Sequence, residues 1–149
     1  MLLRVELLLP FACAWARHQE SVILRTGVPL SDRERTVAQR MGISHWDRVR
    51  LLAVDRVPPL NRWLRQIGLQ IGVVSPDTAG MTLRYGIFIR ADCWGDWRLV
   101  IHELAHVVQY ERLGGFRAFL RDYLGECVNP GYPLGPLERE AKQAERTFQ

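Results

Sequence analysis

Residues 97–112 read Trp-Arg-Leu-Val-Ile-His-Glu-Leu-Ala-His-Val-Val-Gln-Tyr-Glu-Arg, and this stretch decides which fold and chemistry can be expected. Its apolar residues recur at the spacing of a helix face, and a pair of glycines follows where a helix would end. The sequence therefore predicts a helix over residues 97–112. His102, Glu103 and His106 lie near its middle.

The two histidines of this helix have the spacing of metal ligands. His102 and His106 are four residues apart, so both imidazoles project from one helix face and can reach a single ion. Glu103 lies about 100° further around the helix, where it can touch a metal-bound water but cannot ligate comfortably. Because Zn²⁺ lowers the pKa of its bound water to about 7, this carboxylate can act as a general base. The alternative is a chance match on a buried helix, where all three polar side chains would need other partners.

A catalytic zinc site needs a third protein ligand and one open position. The metzincin extension would require glycine at position 109 and histidine at position 112, but the sequence has Gln109 and Arg112, which excludes that class. His18 and His45 lie far upstream of the motif. The remaining candidates are downstream carboxylates, namely Glu111, Glu126, Glu138 and Glu140.

The motif and a later segment together resemble a known family. Residues 136–141, Pro-Leu-Glu-Arg-Glu-Ala, follow the motif helix after a glycine turn and a short helix. In this respect residues 81–141 resemble a family of uncharacterised bacterial proteins that are regarded as gluzincin-type zinc metallopeptidases. The resemblance implies a small zincin-like domain that hydrolyses peptide bonds. It also implies Zn²⁺ as cofactor, held by His102, His106 and Glu138, with Glu103 as the catalytic base and Ala141 as a packing position.

Three nearby residues bear on this assignment. Lys142 stands where the family commonly has an aspartate that orients a ligand histidine, so we expect that contact to come from elsewhere. Glu140 is the alternative ligand, but about 200° of helix separates it from Glu138, so both cannot face one metal. Tyr132 in the preceding loop could donate a hydrogen bond to an oxyanion, although packing against the core would also explain it.

Length and patterning predict a single α+β domain over residues 1–149. The expected architecture has N-terminal helices, a mostly antiparallel sheet of about three strands, the motif helix packed beneath it, and two further helices. After the N-terminal helix, we predict a helix between Ser31 and Gly42, because Ser31 and Glu34 have the spacing of a capping box. The other predicted helices cover residues 61–67, 97–112, 116–124 and 137–148.

The N-terminal segment is predicted to be an amphipathic helix that ends near residues 25–27, where Gly27 can adopt a left-handed cap. Its expected buried stripe consists of Leu7, Phe11, Ala14, Trp15, His18 and Val22. Its expected solvent-facing residues are Arg17, Gln19 and Glu20.

Strands are predicted at residues 48–57, 69–74 and 81–90, which are rich in β-branched and apolar residues. A turn cluster at residues 75–80 separates the last two, which suggests a hairpin. Apolar and other side chains alternate along residues 81–90, so we expect one apolar and one mixed face near the sheet edge. If a peptide is the substrate, residues 82–89 could hold it by strand addition.

The composition bears on compartment. Cys13, Cys93 and Cys127 are too far apart for a thiolate zinc motif and odd in number, so reduced thiols in the cytoplasm are the simplest expectation. Residues 1–16 imitate a signal peptide, and export is the alternative localisation. Glu6 and Pro10 interrupt that pattern, so we favour a helix of the mature domain. No apolar run is long enough to cross a bilayer.

Charge patterning bears on partners. The formal net charge is +4, but the arginines are scattered among acidic residues and form no block that could follow a phosphate backbone. We therefore expect a peptide or protein substrate, with neither nucleic acid nor membrane as partner. The oligomeric state is left open. The alternative function is a non-catalytic domain in which zinc stabilises a surface for protein contacts.

Overall fold

The computed structural model describes residues 2–70, 72, 74–131 and 134–149, with the side chains of residues 2 and 3 outside that description. The chain is a mixture of helices and strands, which confirms the predicted α+β class. The elements are α1 (Leu2–Thr26), β1 (Val28–Pro29), α2 (Asp32–Arg40), β2 (Arg50–Val54), α3 (Arg62–Gln70), β3 (Gly80–Leu83), β4 (Gly86–Arg90), α4 (Trp97–Leu113), α5 (Phe116–Glu126) and α6 (Pro136–Thr147).

The strands of the described chain form one mixed sheet in the order β1-β2-β4-β3. The β1–β2 and β3–β4 pairs are antiparallel, whereas β2 and β4 run parallel, with Leu52 opposite Phe88. The sheet thus has four strands rather than the predicted three or so. The additional strand, β1, is only two residues long, which is too short to produce a periodic signal in the sequence.

The predicted hairpin between residues 69–74 and 81–90 is wrong. Leu69 and Gln70 complete α3, neither residue 72 nor residue 74 belongs to a strand, and residues 71 and 73 lie outside the described part of the chain. The run at 81–90 instead folds back on itself as β3 and β4. Arg84 adopts a left-handed conformation at the turn, with φ of 60°.

A buried carboxylate from α1 holds this turn. Glu20 accepts hydrogen bonds from Arg84 Nε at 2.8 Å, from Arg84 Nη2 at 2.7 Å and from the Tyr85 amide at 3.0 Å. Glu20 is 4% exposed, so its prediction as a solvent-facing residue is also wrong. Its partners lie more than sixty residues away in sequence, and local patterning therefore does not reveal them.

The hairpin places β4 in the interior of the sheet and leaves β3 at its edge. Ile87, Phe88 and Ile89 are all buried, so β4 is covered on both faces and lacks the mixed face that alternation predicts. Phe88 packs in a cluster with residues of α1 and α5, while Ile87 and Ile89 pack with residues of α2 and α4. Of the predicted strand at residues 81–90, only the part that forms β3 lies at the sheet edge.

The predicted buried stripe of α1 is rotated relative to the observed one. Leu7 and Phe11 are 65% and 76% exposed, Ala14 and His18 are exposed, and Trp15 and Val22 are partly buried. The buried residues are instead Val5, Leu9, Cys13, Ala16, Glu20 and Ile23. Both sets have helical spacing, and packing of α1 against α5 and β4 selects between them. None of the described helices is both long and apolar enough to cross a membrane.

The other predicted helices form close to their expected bounds. Ser31 and Glu34 make the reciprocal bonds of a capping box at the start of α2. The motif helix α4 begins after Asp96, whose side chain accepts from the Leu99 amide, and ends at Gly114 with φ of 95°. Its residues contribute to both apolar clusters, so α4 lies within the core. The motif is therefore carried by one of the most constrained elements of the fold.

Replacing Glu20 by alanine should lower the free energy of unfolding by about 2 kcal/mol, because three hydrogen bonds to a buried charge are lost. Glu6 provides a matched control on the same helix, since its contact with Arg117 joins two largely exposed side chains. Glu6→Ala should cost less than about 0.5 kcal/mol. Urea denaturation of the two variants measures both values, and equal losses would contradict the role assigned to Glu20.

Candidate metal centre

The structure brings the three predicted ligands together from two helices. His102 and His106 project from α4, and Glu138 lies in the first turn of α6, which packs against α4. One potential ligand atom from each residue lies within 4.8 Å of the other two. Glu138 and His106 are buried, while His102 is partly buried.

The competing carboxylates lie elsewhere. Glu140 is exposed and forms a bidentate ion pair with Arg112, at 2.6 and 3.0 Å. Glu126 accepts a hydrogen bond from the Leu137 amide at 3.0 Å and so holds the start of α6. Glu111 accepts from the amides of Ser44 and His45. Of the four downstream carboxylates, Glu138 is thus the one that lies with His102 and His106.

Both imidazoles present the same nitrogen to Glu138. His102 Nε2 lies 3.0 Å from Glu138 Oε2, and His106 Nε2 lies 3.2 Å from Glu138 Oε1. Each Nδ1 faces an oxygen instead, with Glu145 Oε1 at 2.8 Å from His102 and Gln109 Oε1 at 2.7 Å from His106. Because these oxygens accept hydrogen bonds from Nδ1–H, the neutral rings would carry their lone pairs on Nε2. The lone pairs then point into the cluster.

Glu145 and Gln109 make the contacts to the two Nδ1 atoms, which were expected to come from residues other than Lys142. Glu145 follows Glu138 by two helical turns and faces the same way, whereas Lys142 is exposed. Gln109 is fully buried, and its Nε2 donates to the Leu137 carbonyl at 2.9 Å. Gln109 thus links His106 on α4 to α6, the helix that carries Glu138. In the sequence, Gln109 is informative only in that it excludes the metzincin pattern.

The cluster strongly favours positive charge. Burial disfavours protonation of His102, but its contact with Glu138 and the charges of Glu103 and Glu138 prevail and raise the pKa of His102 to about 9. The same opposing effects raise the pKa of His106. Burial alone would raise the pKa of Glu138, but the two imidazoles hold it well below its usual range. The same negative charges would also stabilise a divalent cation bound in the cluster.

One oxygen of Glu138 indicates that the residues fit a metal ion. Glu138 Oε2 is buried and makes no hydrogen bond of acceptable geometry within the described residues, although His102 Nε2 lies 3.0 Å away. A buried carboxylate oxygen without a well-aligned hydrogen bond is costly, and a bound cation would lower that cost. Two imidazole nitrogens and a carboxylate oxygen form a donor set suited to Zn²⁺ and to neighbouring transition metals.

Glu103 lies beside the cluster and contacts the edge strand. Thr82 Oγ1 is 2.6 Å from Glu103 Oε2 and 2.9 Å from the Glu103 backbone oxygen. A Cβ atom added at Gly80 would lie 2.7 Å from Glu103 Oε1, so the glycine leaves room for the carboxylate. Thr82 was predicted only as part of the segment that could bind a peptide, and not as a partner of Glu103. Its position on the mixed face of the 81–90 pattern is the one signal that could have suggested it.

Tyr123 is a further side chain at the cluster, and the predicted helix over residues 116–124 gave no indication of this contact. Its hydroxyl, on α5, donates to Glu138 Oε1 at 2.8 Å, and its ring lies 5.9 Å from that of His106. Tyr132, the tyrosine considered for oxyanion binding, lies outside the described residues. His18 and His45 are exposed and take no part in the cluster.

Comparison of the chain with protein-family models, with curated proteins and with solved structures found no match. The resemblance to gluzincin-type metallopeptidases therefore rests on the motif and the final helix.

Replacing Glu138 by alanine should weaken metal binding by more than about 100-fold. Loss of a residue that only hydrogen-bonds to a ligand already lowers metal affinity by about 10- to 100-fold. Glu140→Ala is the matched control, since Glu140 lies on the same helix but is paired with Arg112 at the surface. The control should keep the wild-type metal content. Metal content by mass spectrometry and competition with a chelator measure both, and unchanged affinity in Glu138→Ala would refute this site.

Proposed function

We propose that this protein is a zinc-dependent metallopeptidase in which His102, His106 and Glu138 hold the ion and Glu103 is the general base. The observation that carries the proposal is that donor atoms of His102, His106 and Glu138 lie within 4.8 Å of one another. Glu103 lines a cavity whose wall these three residues share. A zinc ion held there would supply a Lewis acid and lower the pKa of water.

The protein's own side chains account for the proton transfers. Glu103 is positioned to take a proton from the attacking water and then to deliver it to the departing amine. The contact with Thr82 restricts the Glu103 carboxylate to the side of α4 that faces β3. Glu145 and Gln109 hold the imidazoles in fixed orientations, so that the site needs little reorganisation during the reaction.

The edge strand offers a means of binding the peptide backbone. β3 pairs with β4 on one side only, and its residues Gly80 and Thr82 both contact Glu103. An extended peptide that added to β3 would therefore run alongside the general base. Of the two strands within residues 80–90, only β3 can serve in this way, because Ile87 and Phe88 belong to the interior strand β4.

Replacing Glu103 by glutamine should reduce kcat/KM for peptide hydrolysis by about 10²- to 10⁴-fold, the usual contribution of a general base. Metal content should be unchanged, because Glu103 is not among the ligands. Glu140→Gln serves as a control for loss of a carboxylate outside the site. A mixture of denatured proteins provides a substrate of broad sequence. Wild-type protein that binds metal but cleaves nothing would instead favour the non-catalytic zinc domain.

Replacing Thr82 by valine should reduce kcat about 10-fold while metal affinity stays the same, because Glu103 loses the hydroxyl that orients it. Thr82→Ser keeps the hydroxyl and should restore most of the activity. The comparison of kcat with metal affinity separates this positioning role from a general loss of structure. If serine and valine variants behaved alike, the hydroxyl would not be what matters.

A further inference from the structure

A cavity of about 250 Å³ lies directly beside the predicted ligands. His102, Glu103, His106 and Glu138 form part of its wall. Its other walls come from α1, α5, β3 and the segment between β2 and β3. The cavity and the candidate metal centre are thus one continuous space, and whatever occupies the cavity is held next to the proposed reaction centre.

The walls supplied by α1 and α5 are largely apolar. Among the described lining residues, α1 contributes Ala12, Trp15 and Ala16, and α5 contributes Phe119, Leu120 and Leu124 besides Tyr123. The carboxylates and imidazoles of the lining all belong to the metal cluster and Glu103. A charged side chain that entered between α1 and α5 would therefore lose its hydration without gaining a partner there.

The volume suits one large side chain. A cavity of about 150 Å³ lined by apolar residues is large enough for a benzene ring, whereas sites for whole small molecules usually begin at about 300 Å³. At about 250 Å³, this cavity can hold an aromatic or branched aliphatic side chain together with part of its backbone. Two small residues of α1, Ala12 and Ala16, help to leave this space open.

We propose that this cavity is a specificity pocket that takes a large apolar side chain, such as that of phenylalanine or leucine, next to the peptide bond to be hydrolysed. This proposal rests on the proposed function of the adjacent site. The peptide backbone would run along β3, whose residues Met81, Thr82 and Leu83 also line the cavity. Exclusion of water from the apolar walls would favour the matching substrate by about 10- to 100-fold over one with a small or charged side chain.

The first test fills the pocket from the α1 side. Ala12→Leu places a larger side chain in the cavity wall, and Ala14→Leu makes the same change on an exposed position of the same helix. Zinc-loaded wild type and both variants are assayed with blocked peptides of equal length that differ at one position: glycine, alanine, leucine, phenylalanine or glutamate. We expect Ala12→Leu to lose at least about 10-fold in kcat/KM for the leucine and phenylalanine peptides, with little change for alanine. Ala14→Leu should behave as wild type.

The second test is independent of catalysis. Zinc-loaded Glu103→Gln protein, alone or with an added Ala12→Leu or Ala14→Leu change, is titrated calorimetrically with the hydroxamic acids of phenylalanine, leucine and glycine. We expect the phenylalanine and leucine compounds to bind at least about 10-fold more tightly than the glycine compound, and Ala12→Leu to remove the difference. If this preference holds while no peptide is cleaved, the pocket stands and the proposed hydrolysis fails. Equal affinities for the three compounds, or the same loss in an Ala14→Leu background, would overturn the pocket.

Discussion

The Glu138 carboxylate, buried between two imidazoles, is the interaction on which the candidate site depends. A carboxylate that is 4% exposed is stable only if its neighbours compensate for the lost hydration. Here the compensation comes from His102 and His106 on α4 and from Tyr123 on α5. The same contact therefore fixes where α6 begins relative to α4 and α5. The negative charge of Glu138 also favours a cation, whether a proton on each imidazole or a divalent ion between them.

The contacts around the start of α6 reinforce this arrangement. Gln109 joins His106 to the Leu137 carbonyl, and Glu126 accepts from the Leu137 amide, so the residue before Glu138 is held from α4 and α5 together. A metal site needs its ligands to be oriented before the ion arrives, because each loosely held side chain adds a cost in conformational entropy. Here hydrogen bonds with Glu145, Gln109 and Tyr123 hold the two imidazoles and the Glu138 carboxylate in place.

A second buried carboxylate, that of Glu20, positions the edge strand β3, which carries Thr82. Glu20 on α1 holds the turn between β3 and β4, and this turn places the edge strand against α4. The close approach of α1 to β4 depends on Gly86, since a Cβ atom there would lie 3.0 Å from the Ile23 side chain. Through β3, the same arrangement brings Thr82 to Glu103 and leaves the apolar cavity between α1, α5 and the sheet.

The sequence by itself determined the features that depend on short-range spacing. The i, i+4 histidines with Glu103 between them, the capping box at Ser31 and the glycine stop of α4 follow from helix geometry, which is the same in any fold. Glu138 was reached through a family resemblance and agrees with the observed packing. Tertiary structure alone decided the roles of Gln109, Thr82, Tyr123 and Glu145, and it decided which stripe of α1 is buried. Those outcomes depend on contacts between elements far apart in the chain, and a side chain's partner across such a distance leaves no periodic trace in the sequence around it.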